Sequence, residues 1–426
     1  MNQAVRSCLL ALMLLGQTSM ALSHPERVKP EPEPTFEVFD HGIKVGISAS
    51  VQLDIIHDFN ALGLETNSPV PREFITSLIP VGGPASSRRN RTAFSPNQSE
   101  LTLWAASETR FGTATALLDF NLAESVSDVE FQVYRVWGHL GPMRFGLDYT
   151  QFLNQAAIPA TLDFEGPQAL PEARYAQASL RFPLASIRSS EKNLFLQLSL
   201  EDADAELTLP SNHAVNDISA VNQVPAVVAK FIYETDRANV QLAGIYRRLR
   251  AEGNGYDSSV DGWGLNLSGY FELWGDDNLM AGIVGGKGIS ALVNDTAGLD
   301  LDAAPASATD SSLEAVGLLG VWAAFQHAWS PTLNSTLSAS FLRTDSGFID
   351  RAFGPKQAKS GEFLGIYEKT VYSSANLVWS PLKWVDTGVE YLFGYQRVAE
   401  GTSSFGNDGY DHRIQVTFRL NFDYSR

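Results

Sequence analysis

Residues 43–55 read IKVGISASVQLDI, and this stretch decides the fold. Every odd position from Ile43 to Ile55 carries an apolar side chain, while the even positions between them are polar or glycine. Successive side chains of a β-strand point to opposite faces, so a period of two predicts a strand. One face of this strand is apolar and the other polar, and we expect the two faces to meet different surroundings.

The same alternation recurs along the rest of the chain and predicts the number of strands. Sixteen candidate strands result from it, at residues 42–59, 97–107, 110–121, 129–139, 142–150, 173–183, 193–201, 226–235, 238–250, 262–274, 279–289, 314–329, 332–345, 365–380, 383–397 and 411–422. Tight turns alternate with long polar loops between these strands. The tight turns fall at Ser107 to Arg110, Leu140-Gly141, Glu234 to Arg237, Gly275 to Asn278, Trp329 to Thr332 and Trp379 to Leu382.

The alternation of connections predicts the fold class. Short turns at one rim and long loops at the other are typical of transmembrane β-barrels, and an even strand count places both termini on the short-turn side. A soluble sandwich has no need of this alternation. We therefore predict an all-β protein in which residues 41–426 form a closed antiparallel transmembrane β-barrel of about sixteen strands, with short periplasmic turns and long extracellular loops.

The final strand and the tryptophans support a wall between lipid and water. Apolar side chains from Ile414 to Phe422 alternate with polar ones that include Arg413 and Arg419. Arginines on one face would be costly in a sandwich packed on both sides, but a wet lumen solvates them. Four tryptophans lie beside predicted short turns, as in an aromatic girdle at a membrane interface: Trp274, Trp329, Trp379 and Trp384. Ordinary core tryptophans are the alternative.

The N-terminus predicts export. Arg6 precedes an apolar run from Cys8 to Leu15, and small residues follow up to Ser23, which is the pattern of a secretory signal peptide at residues 1–23. The run is too short to span a bilayer as a helix. Residues 24–40 are rich in proline and charge and predict an extended periplasmic segment. The single cysteine is Cys8, so we expect no disulfide or thiolate site after cleavage.

Charge and motifs exclude several function classes. The formal net charge is −17, and removal of Arg6 with the signal peptide makes it −18. This disfavours nucleic acid, which requires a basic footprint. No Gly-x-Ser-x-Gly, His-Glu-x-x-His or phosphate-loop motif occurs, and the seven histidines show no metal-like spacing. We therefore expect no catalytic residue, no cofactor and no metal. The expected partner of the barrel surface is outer-membrane lipid.

The polar faces of the strands supply candidate lumen residues. Rings of charge bias which solutes pass a pore, because fixed charges partly replace the hydration that a solute loses. The alternative is that these charges pair across strands and keep the wall solvated. The basic candidates are Lys44, Arg144, Arg181, Lys230, Arg413 and Arg419, and the acidic candidates are Asp54, Asp148, Glu272 and Glu390.

The stretch from Thr150 to Leu170 is unusually apolar for an exposed loop. It contains Ile158, Leu162 and Phe164 beside two acidic residues. A loop that folds into the barrel would bury these side chains, so we predict a constriction near residues 150–171. A loop packed at a subunit interface is the alternative. The candidate residues of the constriction are Asp163 and Glu165, which would face the channel, and Arg174, which follows the loop.

The segment Phe131 to Phe182 resembles the DcaP-like outer-membrane porins. The similar residues are Arg135, the run from Gly146 to Phe152, the run Pro159-Ala-Thr-Leu-Asp-Phe-Glu-Gly-Pro167 and Arg174, with weaker likeness at Gln98-Ser99, Thr109, Gly112 and Asp119-Phe120. Glu100 stands where the family usually has arginine, and its helical N-terminal extension is not evident. The resemblance implies a homotrimeric Gram-negative porin, located in the cell outer membrane, that carries small hydrophilic solutes such as dicarboxylates or other small anions.

Two other functions stay open at this point. The barrel could act as a surface-binding or adhesive protein through the long loops Glu201 to Pro225 and Ser290 to Ser312, although these loops lack the aromatic or basic clusters of a binding hot spot. An outer-membrane lipase would need a serine and a histidine in contact on the lipid-facing wall. Neither the solute nor the preference for anions or cations follows from the sequence.

Overall fold

A computed structural model of the chain describes residues 36–38, 42–64, 70–122, 131–187, 192–208, 218–253, 256–307, 310, 312–347 and 365–423. The predicted signal peptide, residues 1–23, lies outside these residues, and so does the proline-rich segment up to residue 35. A short strand, Phe36–Val38, pairs antiparallel with the start of the first barrel strand. No helix among the described residues is long and apolar enough to cross a membrane.

The described residues form sixteen long strands, numbered here β1 to β16 in chain order. Each strand pairs antiparallel with the next, and β16 pairs with β1 across Ser48–Asp58, so the sheet closes. The strands are β1 (Ile43–Asp58), β2 (Glu100–Thr109), β3 (Gly112–Leu122), β4 (Phe131–Leu140), β5 (Met143–Tyr149), β6 (Arg174–Ile187), β7 (Lys192–Glu201), β8 (Ala226–Thr235), β9 (Ala238–Gly253), β10 (Tyr256–Glu272), β11 (Asn278–Lys287), β12 (Gly317–Ser330), β13 (Leu333–Asp345), β14 (Tyr367–Leu382), β15 (Val385–Val398) and β16 (Asp408–Asp423). The predicted closed antiparallel barrel is confirmed.

Short turns occupy one rim of the barrel, and the long loops leave from the other. The two-residue turns are Arg110-Phe111, Gly141-Pro142, Asp236-Arg237, Pro331-Thr332 and Lys383-Trp384. Several long loops contribute buried residues to the interior, among them three that matter for the candidate site. These three are loop 1 (residues 59–99), loop 3 (residues 150–173) and loop 6 (residues 288–316). Loop 1 contains a short strand, Arg91–Ser95, that pairs with the end of β1.

The connection between β9 and β10 differs from the sequence-based prediction. The alternation of apolar residues ends near residue 250 and predicts a long loop up to residue 262, yet the two strands continue and are joined by residues 254–255 alone. Outward-facing ion pairs replace the apolar side chains there. Arg248 pairs with Asp261 at 2.6 Å, and Arg250 pairs with Asp257 at 2.9 Å. Such cross-strand pairs stabilise a hairpin without an apolar face.

Side chains of the wall alternate between the outside and the inside of the barrel. On β8, Val227 and Phe231 are exposed on the outside, whereas Val228, Lys230 and Ile232 point inward and are buried. Large apolar side chains are exposed in this way on strands all around the barrel. The outer surface therefore carries an apolar band, in contrast to the many polar side chains inside.

The apolar band has the height of a membrane. On β12 the outward series runs from Leu319 to Trp329, and ten steps of ~3.3 Å give ~33 Å along the strand. At the strand tilt of such barrels this corresponds to a height of ~25 Å, which matches their apolar band. The four tryptophans lie outside, beside the short turns, with exposures from 49 % for Trp384 to 73 % for Trp274.

The inside of the barrel contains its own apolar core, built by loops that fold inward. Phe152 and Leu153 of loop 3 belong to one buried cluster with Leu292 of loop 6 and the inward-facing Val228 and Ile245 of the wall. Burial of these side chains fixes the loops to the wall by the hydrophobic effect. The candidate site is the path that loop 3 takes through this interior.

Candidate functional site

The first residues of loop 3 are fixed by one carboxylate. Glu201, at the end of β7, is fully buried. Its Oε2 accepts a hydrogen bond from Thr150 Oγ1 at 2.5 Å, and its Oε1 accepts one from the backbone N–H of Gln151 at 2.7 Å. Hydrogen bonds to a charged acceptor are about twice as strong as neutral ones. Glu201 therefore sets the direction in which loop 3 leaves the wall.

The next residues of loop 3 run along β9 and β10. The carbonyl oxygen of Phe152 accepts hydrogen bonds from Asn266 Nδ2 at 2.8 Å and from Gln241 Nε2 at 3.4 Å. Asn154 Nδ2 donates in turn to the carbonyl of Ser268 at 3.3 Å. Inward-facing amides of the wall thus satisfy a loop backbone that would otherwise be buried without partners.

The tip of loop 3 reaches the wall at β14 to β16. Glu390 Oε2, on β15, accepts hydrogen bonds from the backbone N–H groups of Leu162 and Asp163, both at 2.7 Å. The carbonyl oxygen of Leu162 accepts from Gln415 Nε2 at 2.8 Å and from Gln98 Nε2 at 3.1 Å. The loop therefore crosses the barrel interior from β5 to β15.

Loop 3 returns to β6 along loop 6. The backbone N–H of Gln168 donates to Ser340 Oγ on β13 at 3.0 Å. The carbonyl of Leu170 accepts from the N–H of Asn294 at 3.0 Å, and the N–H of Ala173 donates to the carbonyl of Leu292 at 3.4 Å. Both arms of the loop are thus bonded to their surroundings.

Asp163 lies in a different environment from the one that the sequence predicts for it. Its side chain is only 2 % exposed and does not face an open channel. Its carboxylate accepts hydrogen bonds from the N–H of Phe74 on loop 1 at 2.9 Å and from the N–H of Gly166 at 3.0 Å. Burial raises the pKa of Asp163 to about 6, and Arg413 and the two N–H groups oppose that rise. The residue links two loops because backbone donors converge on it.

The two arginines of the last strand point inward, as the alternation predicts, but both are bound within the wall. Arg413 is fully buried and binds Asp58 through Nε at 2.6 Å and Nη2 at 3.1 Å. Arg419 donates through Nε to Gln52 Oε1 at 2.5 Å, next to Asp54. Asp54 is fully buried and accepts from Gln52. These groups keep the wall together rather than meeting a solute.

Arg144 and Arg181 are more accessible, and each forms an ion pair. The side chain of Arg144 is 30 % exposed and lies 2.5 Å from Asp148, with its guanidinium stacked 3.8 Å above the ring of Trp137. Arg181 is 39 % exposed and pairs with Glu234 at 2.9 Å. Pairing lowers the net field of these residues, so they contribute polarity to the lumen more than a single sign of charge.

Two other cations on the inside form no direct ion pair with a carboxylate of the described residues. Lys230 is buried on the inner face of β8 and forms no ion pair there. Arg174, at the start of β6, stacks 3.8 Å above the ring of Tyr134 and donates to the Tyr134 carbonyl at 3.1 Å. Lys44 is exposed at the short-turn rim, where β1 begins. Lys230 and Arg174 are therefore inward-facing cations without a direct ion pair among the described residues, although Glu201 and Asp148 act electrostatically on Lys230.

A cavity of about 400 Å³ opens beside loop 3 and contains one of these cations. Arg174, Glu165 and Glu172 line it, together with the aromatic rings of Tyr149 and Phe164. Glu165 is half-buried, and the predicted acidic candidate Glu272 lies instead near the short-turn rim. The cavity thus presents both signs of charge next to aromatic surface.

Several residues that organise the interior escape the sequence pattern. A β-bulge at Asp119/Phe120 breaks the alternation, and there Arg135 pairs with Asp119 at 2.6 Å. Asp295 on loop 6 is fully buried, and burial raises its pKa. Arg135 and, more weakly, Asp119-Phe120 carry a signal in the sequence through the family resemblance. Asp295 has none, because its partners lie on distant elements.

The residues behind the two alternative functions, a surface-binding protein and a lipase, can also be placed in the structure. Loop 6 is packed onto the barrel, since Asp302 accepts from Arg247 Nη1 at 2.9 Å and from the N–H of Ala291 at 3.0 Å. Within the described part of the chain, the hydrogen-bond partners of the outward-facing histidines are Thr92 for His57, Asp277 for His327 and Tyr391 for His412. No cluster of metal-ligating side chains occurs among the described residues.

Comparison with known proteins shows the fold. No protein-family model and no curated protein sequence matches the chain. The outer membrane channel DcaP of Acinetobacter baumannii superposes with a TM-score of 0.71 at 17 % identity, over 91 % of this chain and 100 % of that chain. The trimer form of OmpT, an outer membrane protein of Vibrio cholerae, gives 0.51 at 9 % identity, over 89 % and 100 %. Salmonella typhi OmpF in complex with daunomycin gives 0.50 at 12 % identity, over 91 % and 100 %. The barrel is built like those of outer-membrane channels, which is the fold that the sequence resemblance implies.

Proposed function

We propose that this chain is an outer-membrane porin through which small hydrophilic solutes diffuse passively. The observation that carries the proposal is loop 3, which is bonded across the inside of a closed barrel from Glu201 on β7 to Glu390 on β15. A loop held in this way narrows the lumen without closing it. Diffusion through such a lumen needs no cofactor. Selectivity then depends on the width of the passage and on the charges beside it.

The outer surface supports the location in the outer membrane. Exposed apolar side chains surround the described part of the barrel, and tryptophans lie at the short-turn edge. A closed barrel satisfies every backbone group between its strands, which is required of a β-structure in lipid. The export signal predicted at residues 1–23 agrees with this location. We therefore place the short turns in the periplasm and the long loops outside the cell.

The inward-facing cations without a direct ion pair support a preference for small anions such as dicarboxylates. Arg144 and Arg181 are paired with Asp148 and Glu234, whereas Arg174 and Lys230 form no direct ion pair among the described residues, with Glu201 and Asp148 acting on Lys230 electrostatically. A positive group in a narrow passage replaces part of the hydration that an anion loses. We expect Arg174 and Lys230 to contribute most to the selectivity.

Planar-bilayer recording tests the channel and its selectivity together. Purified protein should give stepwise conductance, and the reversal potential in a KCl gradient should show anion preference. Arg174→Ala and Lys230→Ala should each shift that potential toward cation selectivity. Arg248→Ala, which removes a charge paired with Asp261 on the outer face, is the control and should leave it unchanged. Absence of conductance would contradict the porin, and unchanged potentials would contradict the role of the two cations.

We further propose that the porin is a homotrimer whose subunits meet through β2 to β4. The tryptophans of the short-turn edge all lie between β10 and β15, on the side expected to face lipid. The outward positions of β2 and β3 instead include Ala105, Ala114 and Ala116, which allow close approach of another barrel. Ala116→Trp should dissociate trimers in native electrophoresis, and Leu319→Trp on the lipid side should not. Monomers from the unaltered protein would contradict this assembly.

A further inference from the structure

The barrel wall is incomplete where loop 3 leaves it. β5 ends at Tyr149, and its ladder with β4 runs only from Val136 to Leu140 on the β4 side. The residues of β4 before Val136 therefore have no backbone neighbour from β5. At one of them, Tyr134, the carbonyl accepts a hydrogen bond from Arg174 Nη1 at 3.1 Å instead. The cavity of about 400 Å³ is lined by this stretch of β4 and lies at the long-loop rim.

Arg174 keeps N–H donors that no described residue uses. A guanidinium carries five N–H donors. The contacts of Arg174 among the described residues are the Tyr134 carbonyl and, at 3.8 Å, the face of the Tyr134 ring. These two contacts fix the guanidinium at the cavity and leave donors for a ligand. A carboxylate is the group that binds a guanidinium most strongly, because two parallel N–H donors can reach its two oxygens.

Two carboxylates, those of Glu165 and Glu172, line the same cavity. Asn294 of loop 6 positions both residues, because its Nδ2 donates to the carbonyl of Glu165 at 3.3 Å and to Glu172 Oε2 at 3.2 Å. A carboxylate has about four acceptor sites, so Glu172 can accept an ammonium group in addition to Asn294. Arg174 pairs with neither glutamate, since Tyr134 holds it on a different element. Opposite charges thus line one cavity without neutralising each other directly.

Apolar side chains complete the lining of the cavity. They come from loop 1 and from the wall, at Ile75, Val133 and Leu147, and from the rings of Tyr149 and Phe164. Sites for small molecules are cavities of about 300–1,000 Å³ in which apolar surface surrounds a few placed polar groups. The cavity has this size and this composition. A ligand that fits it combines an apolar part with two opposite charges.

We propose that this cavity binds zwitterionic solutes with an apolar side chain, the class of the α-amino acids, with Arg174 on the carboxylate and Glu172 on the ammonium group. The inference rests on the proposed porin function, to which it adds a solute class besides small anions. A dicarboxylate meets Glu165 and Glu172 as like charges, and a simple amine meets Arg174 as one. A zwitterion satisfies both signs at once.

Three related ligands test this on the unaltered protein. L-phenylalanine carries both charges, 3-phenylpropanoate lacks the ammonium group, and 2-phenylethylamine lacks the carboxylate. Saturation-transfer difference NMR at pH 7, with the protein in lipid nanodiscs and empty nanodiscs as background, measures each affinity without any need for conductance. L-phenylalanine should bind about 10- to 100-fold more tightly than either analogue, because each analogue loses one set of hydrogen bonds between charged groups.

Charge-removing variants assign the binding to this cavity. Arg174→Gln and Glu172→Gln should each weaken L-phenylalanine by about 10- to 100-fold. Glu172→Gln should not weaken 3-phenylpropanoate, because that ligand makes no contact through an ammonium group. The matched controls are Arg248→Gln and Glu252→Gln, which remove one charge of each sign from the outward ion pairs of the β9–β10 hairpin. Both controls should leave the affinity for L-phenylalanine unchanged.

The proposal is overturned if 3-phenylpropanoate or 2-phenylethylamine binds as tightly as L-phenylalanine, which would show a plain anion site or a plain cation site. Absence of binding by L-phenylalanine overturns it as well. These comparisons use the unaltered protein, so they decide the question even if a variant fails to fold. A protein that binds L-phenylalanine but gives no conductance would contradict the porin function and not the site. A protein that conducts without binding it would contradict the site alone.

Discussion

The two ends of loop 3 are each held by a buried glutamate, yet they are held in different ways. At the root, Glu201 binds Thr150 and Gln151 next to the strand from which the loop departs. At the tip, Glu390 binds the N–H groups of Leu162 and Asp163 on the other side of the interior. The root is also fixed by chain continuity and by burial of the neighbouring loop residues in the main apolar cluster. The tip has Phe164 in the same cluster, but its position against the opposite wall is set by directional polar contacts.

This difference separates the contacts that stabilise the loop from the contacts that determine the width of the proposed passage. Apolar burial at the root gains free energy without specifying a position to within an ångström, because it is not directional. Hydrogen bonds at the tip are directional and fix where the loop meets the opposite wall. We therefore expect changes at the tip to alter permeation and changes at the root to alter mainly stability.

The largest effect is expected for Glu390→Ala. The substitution leaves the N–H groups of Leu162 and Asp163 without their acceptor in a buried place, at a cost of about 1–3 kcal/mol for each. The tip should relax from β15, and sugars larger than those that pass the unaltered protein should enter liposomes that contain the variant. Liposome swelling with a graded sugar series measures this. Unchanged size exclusion would show that the tip does not define the passage.

The same substitution at the root, Glu201→Ala, should have a smaller effect on permeation. The hydroxyl of Thr150 can find another partner by rotation, so one N–H group, that of Gln151, loses its acceptor. We expect a loss of about 1–3 kcal/mol in the free energy of unfolding, measured with urea in lipid vesicles. The size limit in the swelling assay should stay close to that of the unaltered protein. A wider limit than in Glu390→Ala would reverse the comparison.

The wall and the interior differ in how far the sequence predicts them. Alternation reveals strands and their inward faces because it is local, and Arg413 and Arg419 are buried on the inward face of β16. It fails at the β9–β10 hairpin, where charged pairs replace apolar residues. It carries no information on the partners of a loop. Glu390 and Leu162 are 228 residues apart, and only the folded barrel brings them together.

Asp163 illustrates the same limit within loop 3. Its acidic side chain in an apolar loop predicts a charge that faces the channel, because unpaired buried charges are costly. The structure supplies N–H donors from Phe74 and Gly166 instead. Those donors come from loop backbone, which has no residue-type signature. The sequence therefore predicts that this loop folds inward, but it does not predict the groups that position the loop.

The smallest effect on stability and on the size limit is expected where two side chains donate to the same carbonyl group of the tip. The carbonyl of Leu162 accepts hydrogen bonds from both Gln98 and Gln415. Gln98→Met keeps the side-chain length and leaves the bond from Gln415 in place, so it should cost less than about 1 kcal/mol and leave the size limit unchanged. The double variant with Gln415→Met leaves the carbonyl without either donor and should cost more than the sum of the two single variants. Strictly additive losses in urea unfolding would show that the two donors act independently and that the tip is not redundantly held.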